Sequence, residues 1–91
     1  MYLHLGQDVV IRQQELVGIF DLDNTTVSKR TRQFLRVAEK KHQVETVSYD
    51  LPKSFIVCAK RNEKKQKIYI SQLAPVTLSK RSEQTYSLQE E

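Results

Sequence analysis

The sequence predicts a single α+β domain in which a mostly antiparallel sheet packs against one main helix, in the order β-β-β-α-β-β-α. Three observations support this class. The chain has 91 residues, enough for one small hydrophobic core. Short runs of β-branched and aromatic residues alternate with turn-forming residues, and one stretch near the middle has the period of an amphipathic helix. We expect residues 1–82 to form the domain and residues 83–91 to be a frayed acidic tail.

The first three strands are predicted from apolar runs that stop at turn residues. Residues 2–5 form the first run, which ends at the turn cluster of residues 6–8, and residues 9–11 resume β-branched character. This pattern indicates a hairpin. Residues 16–22 are short and nearly continuous in apolar side chains, which suits a central strand better than a helix. Gly18 marks a bulge or a close approach within that strand.

The main helix is predicted over residues 26–41, after a cluster of N-cap candidates at residues 23–26. A helix turns by about 100° per residue, which divides this stretch into two opposite faces. The face expected to pack consists of Val27, Thr31, Phe34, Leu35 and Ala38. The opposite face consists of Lys29, Arg32, Arg36 and Lys40. We call these four residues the cationic stripe.

The second half of the chain predicts an alternating segment, the two strands of a second hairpin and a short helix. Residues 44–49 alternate with period two, with a phase break, and Pro52 makes residues 50–53 a loop. Residues 55–59 and 67–70 are strands of a second hairpin, joined by the charged turn of residues 61–66. Residues 74–81 are a short helix with a proline in its first turn. The sheet face opposite the main helix needs a cover of its own.

Composition excludes several classes of protein. Cys58 is the one cysteine, so no internal disulfide can form, and an intracellular, reducing compartment fits. No residues have the Cys/His spacing of a zinc site, and two glycines are too few for a phosphate-binding loop. No run of about eighteen apolar residues occurs. We therefore expect a cytoplasmic protein that holds no metal, uses no cofactor and contacts no membrane.

Residues with catalytic chemistry are few, and each has a simpler structural interpretation. His4 belongs to a strand, and His42 lies in the turn after the main helix, where positive charge suits the helix C-terminus. Asp21 and Asp23 suit turn and capping chemistry. Cys58 lies between apolar neighbours and is expected to be a small buried side chain. We therefore predict that the protein is not an enzyme and takes no small-molecule substrate.

Charge is distributed unevenly along the chain. The net charge is +4, and residues 28–41 contain six cations and one acid, a local balance of +5. Such a stripe suits the phosphates of a nucleic acid, although a helix face kept soluble by charge has the same composition. Residues 60–67 hold five cations and one acid. Lysines are common on loops and edge strands, so this second cluster is interpreted as a solvated hairpin tip.

Three segments of the chain resemble a known family. They are residues 1–6 (MYLHLG), residues 19–29 and 31–35 (IFDLDNTTVSK and TRQFL), and residues 51–57 (LPKSFIV). Together they resemble the RemA/RemB family of bacterial extracellular matrix regulators, closer to the RemB branch, over residues 1–82. The resemblance implies a LytTR-like fold and a DNA-binding regulator of matrix and biofilm genes. It also implies a ring-shaped homo-oligomer around which DNA wraps.

The resemblance also indicates where the two branches differ. In the RemA branch, DNA contact is attributed to arginines just before the third strand and in the loop between the fourth and fifth strands. The matching positions here hold Glu15, Leu51 and Pro52. If this chain binds DNA, a different basic surface has to supply the contacts.

Two functions follow from the sequence. The first is a DNA-binding regulator that contacts phosphates of duplex DNA with weak base readout. Its predicted contact residues are Lys29, Arg32, Arg36, Lys40 and Lys53. The alternative is an oligomeric protein-interaction module without direct DNA binding. Tyr2, Tyr49 and Tyr69 are amphipathic candidates for the contact between subunits in either case.

Overall fold

The computed structural model describes residues 2–22, 29–48 and 50–81, and it confirms the α+β class. The first strands are β1 (Tyr2–Gly6) and β2 (Val9–Arg12), followed by a 3-10 turn (Gln13–Glu15) and β3 (Leu16–Asp21). Then come α1 (Lys29–Lys40), β4 (Val44–Thr46), β5 (Ser54–Ala59) and β6 (Gln66–Ser71). Residues 75–81 are helical and are called α2. The predicted N-cap cluster, Tyr49 and the acidic tail lie outside the described residues.

The strands form two sheets, not the one sheet that the sequence predicted. β1 and β2 pair as an antiparallel hairpin by themselves, and the other strands form a four-stranded sheet in the order β3-β5-β6-β4. In that sheet β5 pairs antiparallel with β3 and with β6, while β4 runs parallel to β6. The structure is therefore mostly antiparallel, as predicted. The hairpin is separate because it packs against a face of the larger sheet.

β3 is an edge strand, which corrects the prediction of a central one. Its register with β5 shifts between Leu16 and Gly18, so the predicted bulge is confirmed. A Cβ atom on Gly18 would lie 2.7 Å from the ring of Phe20, so the predicted close approach is also present. The prediction was wrong because the apolar side chains of this run pack against different parts of the fold and not within one sheet interior. Ile19 packs under the hairpin, whereas Phe20 stacks on Phe55.

β4 is shorter than predicted, and its phase break is real. Val44 packs with the cluster under α1, whereas Val47, just after the strand, packs with the hairpin. The strand ends at Thr46 because the chain turns Val47 and Ser48 inward, and both are buried. The Ser48 hydroxyl then donates a hydrogen bond to Gln72 Oε1 at 2.9 Å, which satisfies this buried polar group.

α1 ends in a Schellman motif centred on His42. The His42 backbone is left-handed with φ of 58°, the His42 N–H donates to the Glu39 carbonyl at 3.0 Å, and the Gln43 N–H donates to the Ala38 carbonyl at 2.9 Å. These two bonds satisfy carbonyl groups that the end of a helix leaves free. The predicted position of His42 in the turn after the helix is confirmed. The motif turns the chain directly into β4.

Both faces of the four-stranded sheet are covered, so the predicted second cover exists. α1 covers one face, where Ala38 packs with Phe55, Val57 and Ile68. The β1–β2 hairpin and α2 cover the other. Their buried side chains there, Leu3, Leu5, Ile11 and Leu78, meet Ile56 and Cys58 of β5. Each fully buried leucine or isoleucine contributes about 1.5–3 kcal/mol, so the two thin layers together hold the domain.

Candidate nucleic-acid interface

The cationic stripe lies on the solvent face of α1. The four side chains are exposed, while Ala38 on the opposite face is buried, and Thr31 and Leu35 are partly buried. Residues 29, 32, 36 and 40 fall within an arc of about 80° on a regular helix. They line one shallow groove together with Gln33 and Val37. The structure therefore brings four of the five predicted contact residues together.

No acid among the described residues forms an ion pair with a cation on this face. Within residues 2–22, 29–48 and 50–81, none of the four stripe side chains forms an ion pair or a hydrogen bond. Glu39 is the one acid within α1, and it does not line the groove. Both guanidinium groups, of Arg32 and Arg36, are thus available to grip phosphate oxygens through two hydrogen bonds each.

Lys53, the fifth predicted residue, lies apart from the stripe groove. It precedes β5, where its N–H donates to the Ser71 carbonyl at 2.9 Å and its carbonyl accepts from the Leu22 N–H at 2.8 Å. These bonds hold the backbone at the end of the sheet where β3 stops and β5 starts. The Lys53 side chain is exposed, but it does not line the groove of the stripe.

The second basic cluster lies at the opposite end of the same sheet. The β5–β6 turn carries Lys60, Arg61 and Lys65, and a polar groove there is also lined by Arg12. Sequence reasoning missed this convergence because Arg12 is nearly fifty positions from Lys60 along the chain. The pairing of Leu16 with Cys58 brings them together, and no local pattern encodes that register.

Lys67 has a structural partner and differs from its neighbours in the cluster. Its Nζ lies 2.9 Å from Glu45 Oε1 on the adjacent strand and 5.2 Å from the centre of the Tyr69 ring. The hydrogen bond to Glu45 is the main cause that raises the pKa of Lys67, and burial opposes it. Burial in turn raises the pKa of the Tyr69 hydroxyl, with Lys67 acting against it. Lys67 therefore ties β6 to β4.

The other titratable residues considered for catalysis lie in positions that have a structural explanation. Cys58 is buried in the core under the hairpin, and burial raises the pKa of its thiol to about 11, with a smaller contribution from the Glu15 carboxylate. His4 Nε2 donates to the Gln7 carbonyl at 2.7 Å and so closes the β1–β2 turn. Asp21 ends β3, and Asp23 lies outside the described residues. Among the residues described, no group of three His, Cys, Asp or Glu side chains could hold a metal ion.

An apolar groove lies between α1 and the edge strand β3. It measures about 340 Å³, and its aromatic lining is Phe20, Phe34 and Phe55. The Phe20 and Phe55 rings stack with centroids 4.8 Å apart, yet Phe20 remains 45% exposed and Phe34 39%. Of the tyrosines expected at a subunit contact, Tyr2 is exposed and Tyr69 is partly buried beside Lys67, while Tyr49 is not described.

Glu15, Leu51 and Pro52 are the positions that the resemblance compares with arginines of the RemA branch, and they lie before β3 and before β5. Glu15 ends the 3-10 turn just before β3, and Leu51 and Pro52 lie in the loop between β4 and β5. Leu51 is 85% exposed. These positions are therefore accessible or partly accessible but carry no positive charge in this chain.

The fold and its surfaces define a small basic α+β protein with exposed cations on a helix and at a hairpin tip. No helix among the described residues is long and apolar enough to cross a membrane. No family model matches the chain. It is 37% identical over 83 residues to Extracellular matrix regulatory protein B of Bacillus subtilis (strain 168). The aligned residues cover 91% of this chain and 91% of that protein. The chain therefore belongs to the RemA/RemB family of extracellular matrix regulatory proteins.

Proposed function

We propose that this chain is a DNA-binding regulator of extracellular matrix and biofilm genes that acts as a ring-shaped homo-oligomer. The observation that carries the proposal is the stripe of four exposed cations on α1, none of which has an ion pair among the described residues. The printed name of the Bacillus subtilis relative, a matrix regulatory protein, supports the regulatory role.

The contacts are mainly to the phosphate backbone. Lysine and arginine side chains that bind phosphates displace condensed counterions, which contributes affinity without reading the base sequence. Lys29, Arg32, Arg36 and Lys40 make these contacts from α1, and Lys53 adds one from the end of the sheet. The axis of the DNA duplex then runs along the solvent face of α1, and the protein has only a weak preference for particular base sequences.

Assembly into a ring repeats the cationic stripe once in every protomer. Exposed apolar side chains on β3 and α1, namely Val17, Phe20 and Phe34, are available for contact with another protomer. A ring repeats the stripe around its perimeter, and each further contact with the same duplex is intramolecular. Avidity therefore raises the affinity above that of a single subunit.

The second candidate is an oligomeric protein-interaction module without direct DNA binding. The observation that favours it is Leu51, which is an apolar side chain 85% exposed at a position where the RemA branch has DNA contact attributed to arginine. An exposed apolar residue of this kind suits a protein partner better than a phosphate. The cationic stripe would then only keep the protein soluble.

Fluorescence anisotropy of a labelled duplex, titrated at several salt concentrations, tests the first function. We expect the logarithm of the binding constant to fall linearly with the logarithm of salt concentration, by about 0.9 per phosphate contact. The variant Arg32→Gln/Arg36→Gln should lower that slope by about 1.8 for each protomer on the duplex, because two contacts are lost. Glutamine preserves helix propensity, so α1 should remain folded.

A matched control separates loss of contact from loss of overall charge. Lys80→Glu changes the net charge by two as well, at an exposed position of α2 outside the stripe, and should leave the slope nearly unchanged. An unshifted duplex at low salt and micromolar protein would favour the interaction module. Light scattering tests the ring, and a monomer of 10.7 kDa would contradict assembly.

A further inference from the structure

The basic cluster at the β5–β6 turn is part of a larger surface that the fold assembles from three distant segments. Leu16 of β3 pairs with Cys58, and Ala59 pairs with Gln66, so the residues before β3 and the β5–β6 turn share one end of the sheet. The Ile68 N–H donates to the Gln43 carbonyl at 2.8 Å, which brings the C-terminus of α1 to the same end.

Two adjoining polar grooves lie at this end. Both are lined by Glu15, Ala59, Lys60 and Glu63. The first also has Arg12 and Arg61, and the second also has Lys41 and Lys65. We call Arg12, Lys41, Lys60, Arg61 and Lys65 the sheet-end cations. Since the two grooves share a wall, these side chains form one continuous surface.

This surface carries a net positive charge, and its cations are exposed to solvent. All five sheet-end cations are exposed, and in the part of the chain that the structure describes none of their side chains has an ion pair or a hydrogen bond. Lys67 also borders the second groove, but it is held by Glu45. Five free cations against the carboxylates of Glu15 and Glu63 leave an excess of positive charge.

The structure removes one simpler explanation of this cluster, the protection of a sheet edge. Lysines protect the exposed edges of sheets against pairing with other chains. β5 and β6, however, are the two inner strands of the sheet, and its edges are β3 and β4. Positive charge at the β5–β6 turn therefore protects no edge.

We propose that the sheet-end cations are a second phosphate-contacting surface for duplex DNA, continuous with the cationic stripe; this inference rests on the proposed function. The two surfaces meet at the C-terminus of α1, where Lys40 belongs to the stripe and its neighbour Lys41 to the sheet-end grooves. The cations are exposed and spread over three segments, which suits an extended polyanion better than a small enclosed anion. A duplex that follows α1 reaches Lys60 and Arg61 at its far end.

The variant Lys60→Gln/Arg61→Gln tests this surface in the anisotropy titration, with Lys80→Glu as the control of equal charge change. Both substitutions lie in an exposed turn, so the fold should be preserved. We expect the salt slope to fall by about 1.8 for each protomer in contact, and affinity at low salt to fall more than in the control. Arg12→Gln should lower the slope by about half as much, since it removes one contact.

The outcomes distinguish the two proposals. Binding of DNA by the wild-type protein, together with a Lys60→Gln/Arg61→Gln variant that behaves like Lys80→Glu, would overturn the sheet-end surface and leave the proposed function intact. Failure of the wild-type protein to bind DNA at any salt concentration would overturn both. A variant that loses binding to vesicles of anionic lipid while its DNA binding is unchanged would replace DNA by a membrane surface as the partner.

Discussion

Ser71 is a polar link between the β1–β2 hairpin and the larger sheet, and the substitution Ser71→Ala should lower the stability of the fold. The side chain is fully buried. Its hydroxyl donates to the Leu5 carbonyl at 2.7 Å and accepts from the Leu73 N–H at 3.0 Å. Leu5 has no residue opposite it in β2, because the register shifts between His4 and Gly6. The Ser71 hydroxyl therefore serves a carbonyl at an irregular point of the hairpin.

The cost of Ser71→Ala follows from the two groups that it leaves unpaired. A buried backbone group without a partner costs about 1–3 kcal/mol, and the partly buried Leu73 N–H costs less than the buried Leu5 carbonyl. The loss of one small oxygen atom changes the packing little. We therefore expect the free energy of unfolding to fall by about 2–4 kcal/mol. A domain of this size has a stability of roughly 5–14 kcal/mol, so this loss is a large fraction of the total.

Urea denaturation at a fixed protein concentration measures this effect, because self-association also contributes to apparent stability. Ser79→Ala is the matched control, since it removes the same atom from an exposed position of α2 and should change stability by less than about 0.5 kcal/mol. The hydrogen-bond argument fails if Ser71→Ala lowers the unfolding free energy by no more than the control does.

Two further predictions concern α1 and the core. His42→Gly should raise the free energy of unfolding by about 1 kcal/mol in urea denaturation, because glycine adopts the left-handed conformation of the Schellman motif without strain; unchanged or lower stability would contradict this. Burial raises the pKa of the Cys58 thiol to about 11, so the folded protein holds the neutral thiol. The contribution of Cys58 to the free energy of unfolding is therefore complete below pH 9 and is lost as the pH rises toward 11. The stability advantage of the wild-type protein over Cys58→Ala should therefore shrink between pH 8 and pH 10.5, and a constant difference would contradict the assignment.

Elements whose signal is local were predictable from the sequence. The hairpin turn at residues 6–8, the bulge at Gly18 and the helical period around Phe34 each depend on residues within a few positions of one another. The edge position of β3 was not predictable in the same way. A strand that covers a core on one side and stacks an aromatic ring on the other has the same apolar composition as a strand inside a sheet.

The candidate interface also contains residues that a local sequence pattern predicts and residues that it does not. The cationic stripe was predictable because residues three or four apart on a helix share a face, and the structure places these four side chains in one groove. Lys53 was grouped with them as a cation beside Leu51 and Pro52, and the structure separates it from that groove. The role of Arg12 had no local signal, because its neighbours in the sheet-end surface come from the far half of the chain.

By itself the sequence determined the α+β class, the amphipathic main helix and the identity of the charged residues, since these depend on periodicity and composition. The tertiary structure decided that the first hairpin is a separate sheet, that β5 and β6 are the inner strands, and that Arg12, Lys41 and Lys60 lie at one end of the molecule. The physical reason is register. Strand pairing between distant segments depends on which apolar faces pack together in the whole fold, and only that packing determines which charges become neighbours.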